Sequence, residues 1–198
     1  MCDRRLGPPR NGFTLVEMLI TVAILGLAGA LVIPSMSQTD ALRIQAGVRQ
    51  TVADITYVQG DAMAFQQRRA IWFGRVPQLN DDTGVWEFVE GDGYTVADVR
   101  GPALDLATDS MFDLSDPTRP MGVDFSEGRY GGAVLGNIDF NETDLLIFDE
   151  LGGPVAELDG PDPGNGGAVE ISNGDVTFEI AVAPFTGRVI VTRTEAGG

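Results

Sequence analysis

Glu17 is the residue whose position most needs a chemical explanation. It is the fifth residue of an apolar run, "FTLVEMLITVAILGLAGALVI", that extends from Phe13 to Ile33. A charged side chain at the centre of a bilayer costs about 2.5 to 3.5 kcal/mol, so a carboxylate inside an apolar segment indicates a function. A glutamate within one turn of the helix start can instead reach back to the water interface. The run therefore predicts either a buried cationic partner for Glu17 or a snorkelling side chain.

The rest of the chain offers almost only oxygen chemistry. It has 29 acidic and 13 basic residues, no histidine and a net charge of −16, and all its basic residues are arginines. An imidazole base or metal ligand, a Schiff-base lysine and a lysine phosphate site are therefore excluded. Cys2 is the single cysteine, which excludes disulfides within the chain and thiolate zinc sites. The acidic balance opposes binding to nucleic acid or anionic lipid.

Acidic residues give two weak indications of a site. Asp159 and Asp162, together with Asn165, offer oxygens to Ca²⁺ but fit no calcium-loop template, so they form a weak candidate and we predict no metal and no cofactor. A second acidic row has the spacing of one helix face, but like charges at that spacing oppose a helix and predict a solvated loop. Its members are Asp105, Asp109, Asp113 and Asp116.

Paired carboxylates also leave an anchored enzyme open as a hypothesis. Two acids at the right separation can hydrolyse a glycoside, but nothing in the spacing of this sequence marks such a pair. A cleft containing a carboxyl of raised pKa would favour the enzyme hypothesis. The sequence itself predicts a protein that is not an enzyme.

The N-terminal elements that position Glu17 are a short polar flank and a long apolar helix. Residues 1–12 carry Arg4, Arg5 and Arg10, and residues 13–34 have the length of a membrane span. The arginines predict a cytoplasmic N-terminus by the positive-inside rule. A secretory signal peptide is the alternative, although the apolar run exceeds the usual core of about 7 to 15 residues.

Beyond Pro34 the pattern predicts an amphipathic helix followed by a β-rich domain. Apolar residues keep a helical period over 35–69, and Pro34 is a predicted kink between the two helical parts. Residues 70–198 change to short alternating runs separated by glycine-rich turns, which predicts an antiparallel sheet. The predicted fold class is α+β, with the helix covering the apolar face of the sheet. The predicted strands cover 70–76, 85–89, 94–99, 144–149, 168–172, 175–182 and 188–192.

The segment around Gly12 resembles the N-terminus of type IV pilins and type II secretion pseudopilins. The residues that carry this resemblance are Gly12, Phe13, Glu17 and Pro34. The resemblance implies that residues 1–12 are a leader peptide, that a prepilin peptidase cuts between Gly12 and Phe13, and that the new amine of Phe13 is methylated. It also implies that Glu17 of one subunit neutralises the N-terminal amine of its neighbour, which low dielectric makes selective.

The C-terminal half is similar to the GspH/FimT-type minor pseudopilins. That group ends in a Phe-then-Gly hairpin, a strand, a "TGR" turn and a last strand. The matching residues here are Phe148, Gly152, Thr186, Gly187 and Arg188.

Together these resemblances predict a minor pseudopilin of a type II secretion system. It would be a single-pass protein of the bacterial inner membrane with a periplasmic head, extracted into a periplasmic pseudopilus. The implied partners are the prepilin peptidase, other pseudopilins, the inner-membrane assembly platform and secreted cargo. A FimT-like type IV minor pilin for pilus priming or DNA uptake is the alternative. Arg188 and Arg193 are too few cations for an evident phosphate track.

Overall fold

The computed structural model describes residues 13–174 and 176–195, of which 29–41 and 195 are described by their backbone alone. The chain divides into two compact units between Thr39 and Asp40. One helix, α1 (Leu15–Phe65), precedes all the strands. The strands are β1 (Arg69–Asn80), β2 (Val85–Asp98), β3 (Gly122–Asp124), β4 (Val134–Phe140), β5 (Leu145–Phe148), β6 (Pro154–Val155), β7 (Gly167–Ser172), β8 (Val176–Val182) and β9 (Val189–Glu195).

The first unit contains the N-terminal part of α1. Every side chain described in this part, from Phe13 to Ala28, is exposed. Within the described residues, no helix combines the length and the apolar character needed to cross a membrane. The predicted span, residues 13–34, runs into positions described by their backbone alone, and the span stays a prediction.

In the second unit, α1 buries a stripe of apolar side chains, as the helical period predicts. Ile44, Val48, Ile55, Val58 and Ala62 lie in the core at intervals of three, four or seven residues. The sequence predicts that the helical period continues to residue 69, whereas α1 ends at Phe65, which is 66% exposed, and β1 begins at Arg69.

The first sheet has the order β3-β2-β1-β5-β6, and its paired strands are antiparallel. The sequence predicts two strands, 85–89 and 94–99, with a turn at "GDG", but the structure joins them into β2. The glycines permit close packing there rather than a turn. A Cβ on Gly93 would overlap the backbone oxygen of Val123 in β3, and one on Gly91 would lie 2.8 Å from Cγ2 of Val76.

The second sheet has the order β4-β7-β8-β9 and is also antiparallel. The predicted strands in 168–192 are confirmed as β7, β8 and β9. The sequence does not predict β4, because Gly136 and Asn137 break its alternation where the pairing with β7 shifts register. Both sheets contribute to one core with α1, in which Phe73 stacks on Phe140 at a centroid distance of 5.3 Å. The predicted α+β class is confirmed.

The acidic row does not form the uniform solvated loop that the sequence predicts. Asp105 caps a short helix, α2 (Leu106–Asp109), and accepts a hydrogen bond from the Ala107 N–H at 3.0 Å. Asp109 is buried and accepts a hydrogen bond from the Asp105 N–H. Asp113 and Asp116 each bind the hydroxyl and N–H of the residue two positions later. Local side-chain-to-backbone bonding therefore outweighs the repulsion between these carboxylates.

Candidate functional site

Thr14 and Glu17 form the start of α1. The Oγ1 of Thr14 accepts a hydrogen bond from the Glu17 N–H at 3.2 Å, and its carbonyl oxygen accepts one from the Met18 N–H. Thr14 is thus the N-cap residue, and the Thr-x-x-Glu spacing is that of a capping box. A carboxylate in the first turn also interacts favourably with the helix dipole. Glu17 therefore has a local structural role in addition to the predicted one.

The Glu17 carboxylate is exposed, and no hydrogen bond to it is present within residues 13–174 and 176–195. Phe13, which would become the N-terminus after cleavage, is 73% exposed. Gly12 lies outside the described residues. The helical backbone continues through Pro34, whose side chain also lies outside the description.

The side chains beside Glu17 leave a large apolar surface uncovered. They project from all sides of the helix, since apolar residues occupy nearly every position after Glu17. A helix that is apolar on all sides requires cover from other protein or from lipid. The exposed large apolar residues are Leu15, Val16, Met18, Leu19, Ile20, Val22, Ile24, Leu25 and Leu27.

The predicted head-turn motif is brought together by Gln59 of α1. Its Nε2 donates hydrogen bonds to the carbonyl oxygens of Gly152, at 2.7 Å, and Thr186, at 3.0 Å. These oxygens belong to two different turns, 149–153 and 183–188, which lie against the same stretch of helix. Phe148 is fully buried at the start of the first turn.

Glycine is required in both turns for steric reasons. Gly187 has φ +62°, and a Cβ there would overlap Nε2 of Gln59 and lie 2.7 Å from the Gly152 carbonyl oxygen. Gly152 has φ +80°, and its Cβ would lie 2.9 Å from Sδ of Met63. The two glycines thus allow both turns to approach α1 closely.

Arg188 ends the second turn and is exposed. Its N–H donates to Oγ1 of Thr186 at 3.3 Å. Elsewhere, Arg49 of α1 and Arg193 of β9 line a hollow of about 250 Å³ together with Phe178. Arg49 and Arg193 are far apart in the sequence, so spacing does not predict that they lie together. The pairing of β9 with β8 places Arg193 beside α1.

Asp54 is a buried carboxyl that the sequence does not identify. It receives hydrogen bonds from the Tyr94 hydroxyl, at 2.6 Å, and from Nε2 of Gln50, at 2.9 Å. Burial raises the pKa of Asp54 above that of an ordinary carboxyl, and the two hydrogen bonds oppose the shift. Asp113 raises the same pKa and Arg129 lowers it by their charges. Burial and then Asp54 hold the pKa of Tyr94 well above its ordinary value.

Asp54 lines an open cleft of about 650 Å³ between α1 and residues 113–130. This is the arrangement that would favour an enzyme, but both carboxylate oxygens of Asp54 are held by protein donors. The carboxyl therefore serves as the centre of a hydrogen-bond network, which Gln50 extends to Arg129 and Tyr130. The sequence contains one signal for Asp54, which is its spacing: Asp54 and Asp61 are seven residues apart and lie beside the buried apolar stripe of α1.

Asp61 forms a buried ion pair with Arg69, with Oδ2 and Nε 2.6 Å apart. Nη1 of Arg69 also contacts Asp98 of β2 at 3.2 Å. The pair joins the end of α1 to the central hairpin. Among the described residues, no three acidic side chains are grouped so that they could hold a metal ion, and Asp159 and Asp162 have no third carboxylate beside them.

The family described as the prokaryotic N-terminal methylation motif matches residues 8–33. The chain carries a prepilin-type methylation motif. The match includes Gly12, Phe13 and Glu17, and it confirms the resemblance to the type IV pilin and pseudopilin superfamily. The chain has no significant match among curated proteins or among solved structures.

The motif implies processing by a prepilin peptidase and assembly with other pilin-like subunits. The α+β fold, with an N-terminal helix followed by antiparallel sheets, is consistent with a pilin fold. Proteins of this superfamily are structural subunits rather than enzymes.

Proposed function

We propose that the protein is a minor pseudopilin of a type II protein secretion system. The observation that carries the proposal is the methylation motif, in which Glu17 is exposed at the start of a helix covered with exposed apolar side chains. Residues 1–12 are the leader peptide, and the peptidase cuts between Gly12 and Phe13 and methylates the Phe13 amine. Residues 13–34 anchor the subunit in the inner membrane, 35–69 form the amphipathic part of the helix, and 70–198 form the periplasmic head.

Assembly explains why these groups occur together. The apolar side chains of 13–28 are buried against lipid before assembly and against other pseudopilins afterwards. The Glu17 carboxylate of an incoming subunit pairs with the N-terminal amine of its neighbour. A mismatched subunit would leave two charges without partners in a medium of low dielectric, so the pairing selects for correct register.

The arrangement of the head supports the GspH/FimT-type assignment. The Gly152 and Thr186 carbonyl oxygens bond to Gln59, and Gly187 lies against both Gln59 and Phe148, which gives the spacing of these positions a common structural reason. The exposed turns contact other minor pseudopilins or secreted cargo, and the inner-membrane platform supplies the force for extraction.

A type IV minor pilin for DNA uptake is the second candidate. It is favoured by the hollow that Arg49 and Arg193 line beside Phe178, because arginine next to an aromatic ring suits single-stranded nucleic acid. The net charge of −16 weighs against it.

Deletion of the gene separates the two functions. Proteomics of the medium and periplasm, with transformation efficiency measured in the same cultures, should show secreted proteins retained in the periplasm while DNA uptake stays normal. Intact secretion with failed transformation would assign the chain to an uptake pilus.

Cleavage after Gly12 gives a first testable prediction. Replacing Gly12 with leucine should leave a precursor of full mass, because a bulky residue before the scissile bond hinders the peptidase. Intact-mass spectrometry of the membrane fraction checks this. A Leu6→Ala variant, changed elsewhere in the leader, should be processed normally, and a Phe13 N-terminus in the Gly12→Leu protein would contradict the cleavage site.

A further inference from the structure

Strand β9 forms one edge of the second sheet. It pairs with β8 from Val189, opposite Val182, to Glu195, opposite Val176, and this pairing contains no register shift. Within residues 13–174 and 176–195, no strand lies on the other side of β9. The backbone N–H and C=O groups along a free edge are a template for pairing with another strand.

The other sheet edges in the described part of the chain are short or irregular, and β9 is neither. Strand β3 has three residues, β6 has two and begins with Pro154, and β4 contains a bulge. Strand β9 has seven residues, without proline or a bulge. Most of them are β-branched, a type that favours strands. These are Val189, Ile190, Val191, Thr192 and Thr194. Proteins normally block long edges, so this open edge indicates pairing with another chain.

Hydrogen bonds at the neighbouring turns show which backbone groups of β9 face the free edge. The Ala183 N–H donates to the Arg188 carbonyl oxygen, so these residues are a hydrogen-bonded pair of the β8–β9 ladder. Hydrogen-bonded pairs alternate along an antiparallel ladder. On the other side of β8, the bond from the Asn173 N–H to the Val176 carbonyl oxygen gives the same alternation. The residues of β9 whose N–H and C=O groups face away from β8 are therefore Val189, Val191 and Arg193.

The side chains of these outward-bonding residues lie on the core side of the sheet. Val191 is opposite the fully buried Ile180, and Arg193 is opposite Phe178. Val191 is nevertheless 43% exposed. A strand added to β9 would place alternate side chains beside Val191 and Arg193 and would cover them.

The hollow beside Arg193 favours one kind of side chain in an added strand. Arg49 and Arg193 line it together with Val48 and Phe178, and its described lining residues include no carboxylate. In a chain of net charge −16, two arginines at one hollow form a cationic site that attracts an anionic side chain.

We propose that β9 binds an extended segment of another protein as an additional antiparallel strand, with an acidic side chain in the hollow beside Arg49 and Arg193. All strand pairs of the two sheets are antiparallel. In this arrangement the acidic residue lies opposite Arg193, and the residues two and four positions later lie opposite Val191 and Val189. Main-chain hydrogen bonds supply affinity, and the alternate side chains supply specificity. The bound segment therefore reads acidic, any, apolar, any, apolar.

A second copy of this chain fits the edge less well than an acidic segment does. Full antiparallel pairing of two β9 strands would place Val191 of each copy opposite Arg193 of the other, so an apolar side chain would face the cationic hollow. Two chains of net charge −16 also repel each other.

The inference goes beyond the proposed function, because strand addition to β9 requires neither processing at Gly12 nor assembly of a filament. A test on the purified full chain in detergent can therefore fail or succeed independently of secretion and pilus assays.

Disulfide capture of a synthetic peptide by the full chain tests the added strand. The protein carries Cys2→Ser and Thr192→Cys, because position 192 faces the added strand in a pair without hydrogen bonds, where side chains are closest. The probe is Thr-Glu-Cys-Val-Thr-Val-Thr with both ends blocked, whose cysteine is opposite position 192 when its glutamate is opposite Arg193. Mass spectrometry measures capture at equilibrium in glutathione buffer.

The control for thiol reactivity is Thr83→Cys, at an exposed threonine in the β1–β2 turn. We expect Thr192→Cys to capture the peptide at least about tenfold better than Thr83→Cys does. Equal capture at the two positions would overturn the proposal.

Methylation of single peptide nitrogens tests main-chain pairing. The nitrogen of the peptide valine opposite Val191 faces β9, so its methylation should lower capture by about tenfold through the loss of a hydrogen bond. The nitrogen of the next threonine faces away from β9, and its methylation is the matched control that should leave capture nearly unchanged. Equal losses from the two methylations would show that the peptide does not bind as a strand.

Substitutions in the peptide and in the protein test the charge preference. Lysine in place of the peptide glutamate should lower capture by about tenfold. Combining Arg49→Gln with Arg193→Gln should abolish the difference between the two peptides, whereas Arg119→Gln, an exposed arginine outside the hollow, should preserve it. A glutamate preference that survives the loss of both hollow arginines would contradict their role.

Two further results would identify a different occupant and overturn the proposal. A Thr192→Cys disulfide dimer that excess peptide does not displace would show that a second copy covers the edge. Binding of an oligodeoxythymidine that depends on Arg49 and Arg193, without capture of the peptide, would assign the hollow to nucleic acid.

Discussion

Asp54 shows how one buried carboxyl connects the helix to the sheet. One carboxylate oxygen accepts a hydrogen bond from Tyr94 of β2 across that interface, and the other accepts one from Gln50, one turn earlier in α1. Because burial raises its pKa, the folded protein takes up a proton more readily than the unfolded chain does. The contribution of Asp54 to the free energy of unfolding therefore decreases as pH rises from about 4 through the raised pKa.

Tyr94→Phe should be more destabilising at neutral pH than in acid. The change removes the hydroxyl donor from a charged carboxylate, with an expected loss of about 1 to 3 kcal/mol at pH 7. At about pH 4 the proton on Asp54 reduces the loss. Urea unfolding at both pH values measures it. Tyr130→Phe is the control, since that hydroxyl donates to Gln50 and does not touch Asp54. An equal loss at both pH values would contradict the role of the charge.

Gly187→Ala should destabilise the head through a steric clash as well as backbone strain. Its Cβ would overlap the Gln59 amide and approach the Gly152 carbonyl, so we expect a loss of roughly 1 to 3 kcal/mol. Gly84→Ala is the matched control, because Gly84 has φ +68° and nothing within 4 Å of an added Cβ. Thermal unfolding compares the two. Equal melting temperatures would mean that the clash is relieved without cost.

Helix α1 organises the head because one face of it meets both sheets and both C-terminal turns. The apolar stripe packs on the core, Asp61 binds Arg69 beyond the helix end, and Gln59 holds the turns 149–153 and 183–188. These polar contacts, of which the Asp61–Arg69 pair is buried, therefore fix the register of the helix on the sheets, while the apolar stripe supplies most of the burial.

Gln59→Leu should loosen both turns together. The substitution leaves the Gly152 and Thr186 carbonyl oxygens without their donor, with an expected loss of about 1 to 3 kcal/mol. Hydrogen exchange of the Gly153 and Gly187 N–H groups should become faster in the same variant. Thr56→Val, on the exposed side of the same helix, should change neither quantity measurably. Faster exchange in only one turn would contradict the shared anchor.

The sequence predicts elements well where a single period dominates. The spacing of apolar residues predicts the helix and strands β7 to β9. It fails for β4, which contains a bulge, and for β2, whose glycines allow close packing and do not form a turn. At the site, a short motif identifies Gly12, Phe13 and Glu17. The spacing of Asp54 and Asp61 places both beside the buried stripe, but the partners of Asp54 and Gln59 in the sheets and turns lie far along the chain, and spacing carries no signal for those contacts.

The whole molecule combines an N-terminal segment with uncovered apolar side chains and a head with its own core. The methylation motif implies that the N-terminal segment is processed and assembled with other pilin-like subunits. The head then supplies the surfaces that contact neighbouring subunits. A net charge of −16 keeps the heads apart except where specific contacts form.

Two substitutions of Glu17 distinguish a role in charge pairing from a role in helix capping. Glu17→Ala and Glu17→Gln should both be processed at Gly12, yet both should fail to enter filaments, because neither can neutralise an amine. Shearing and immunoblotting of filaments, with intact-mass analysis of the membrane fraction, measure the two steps. Glutamine fits the same capping-box spacing as glutamate, but it carries no charge. Normal incorporation of Glu17→Gln would therefore assign Glu17 to capping alone.

The Gln59 hydrogen bonds also constrain when the head can fold. They join residues 93 and 127 positions apart in the chain. Contacts of such long range form late, because a large loop must close first. The helix therefore cannot acquire both anchors until the turn 183–188 has been synthesised and has reached α1. A subunit cut short before this turn would leave α1 with only the Gly152 anchor.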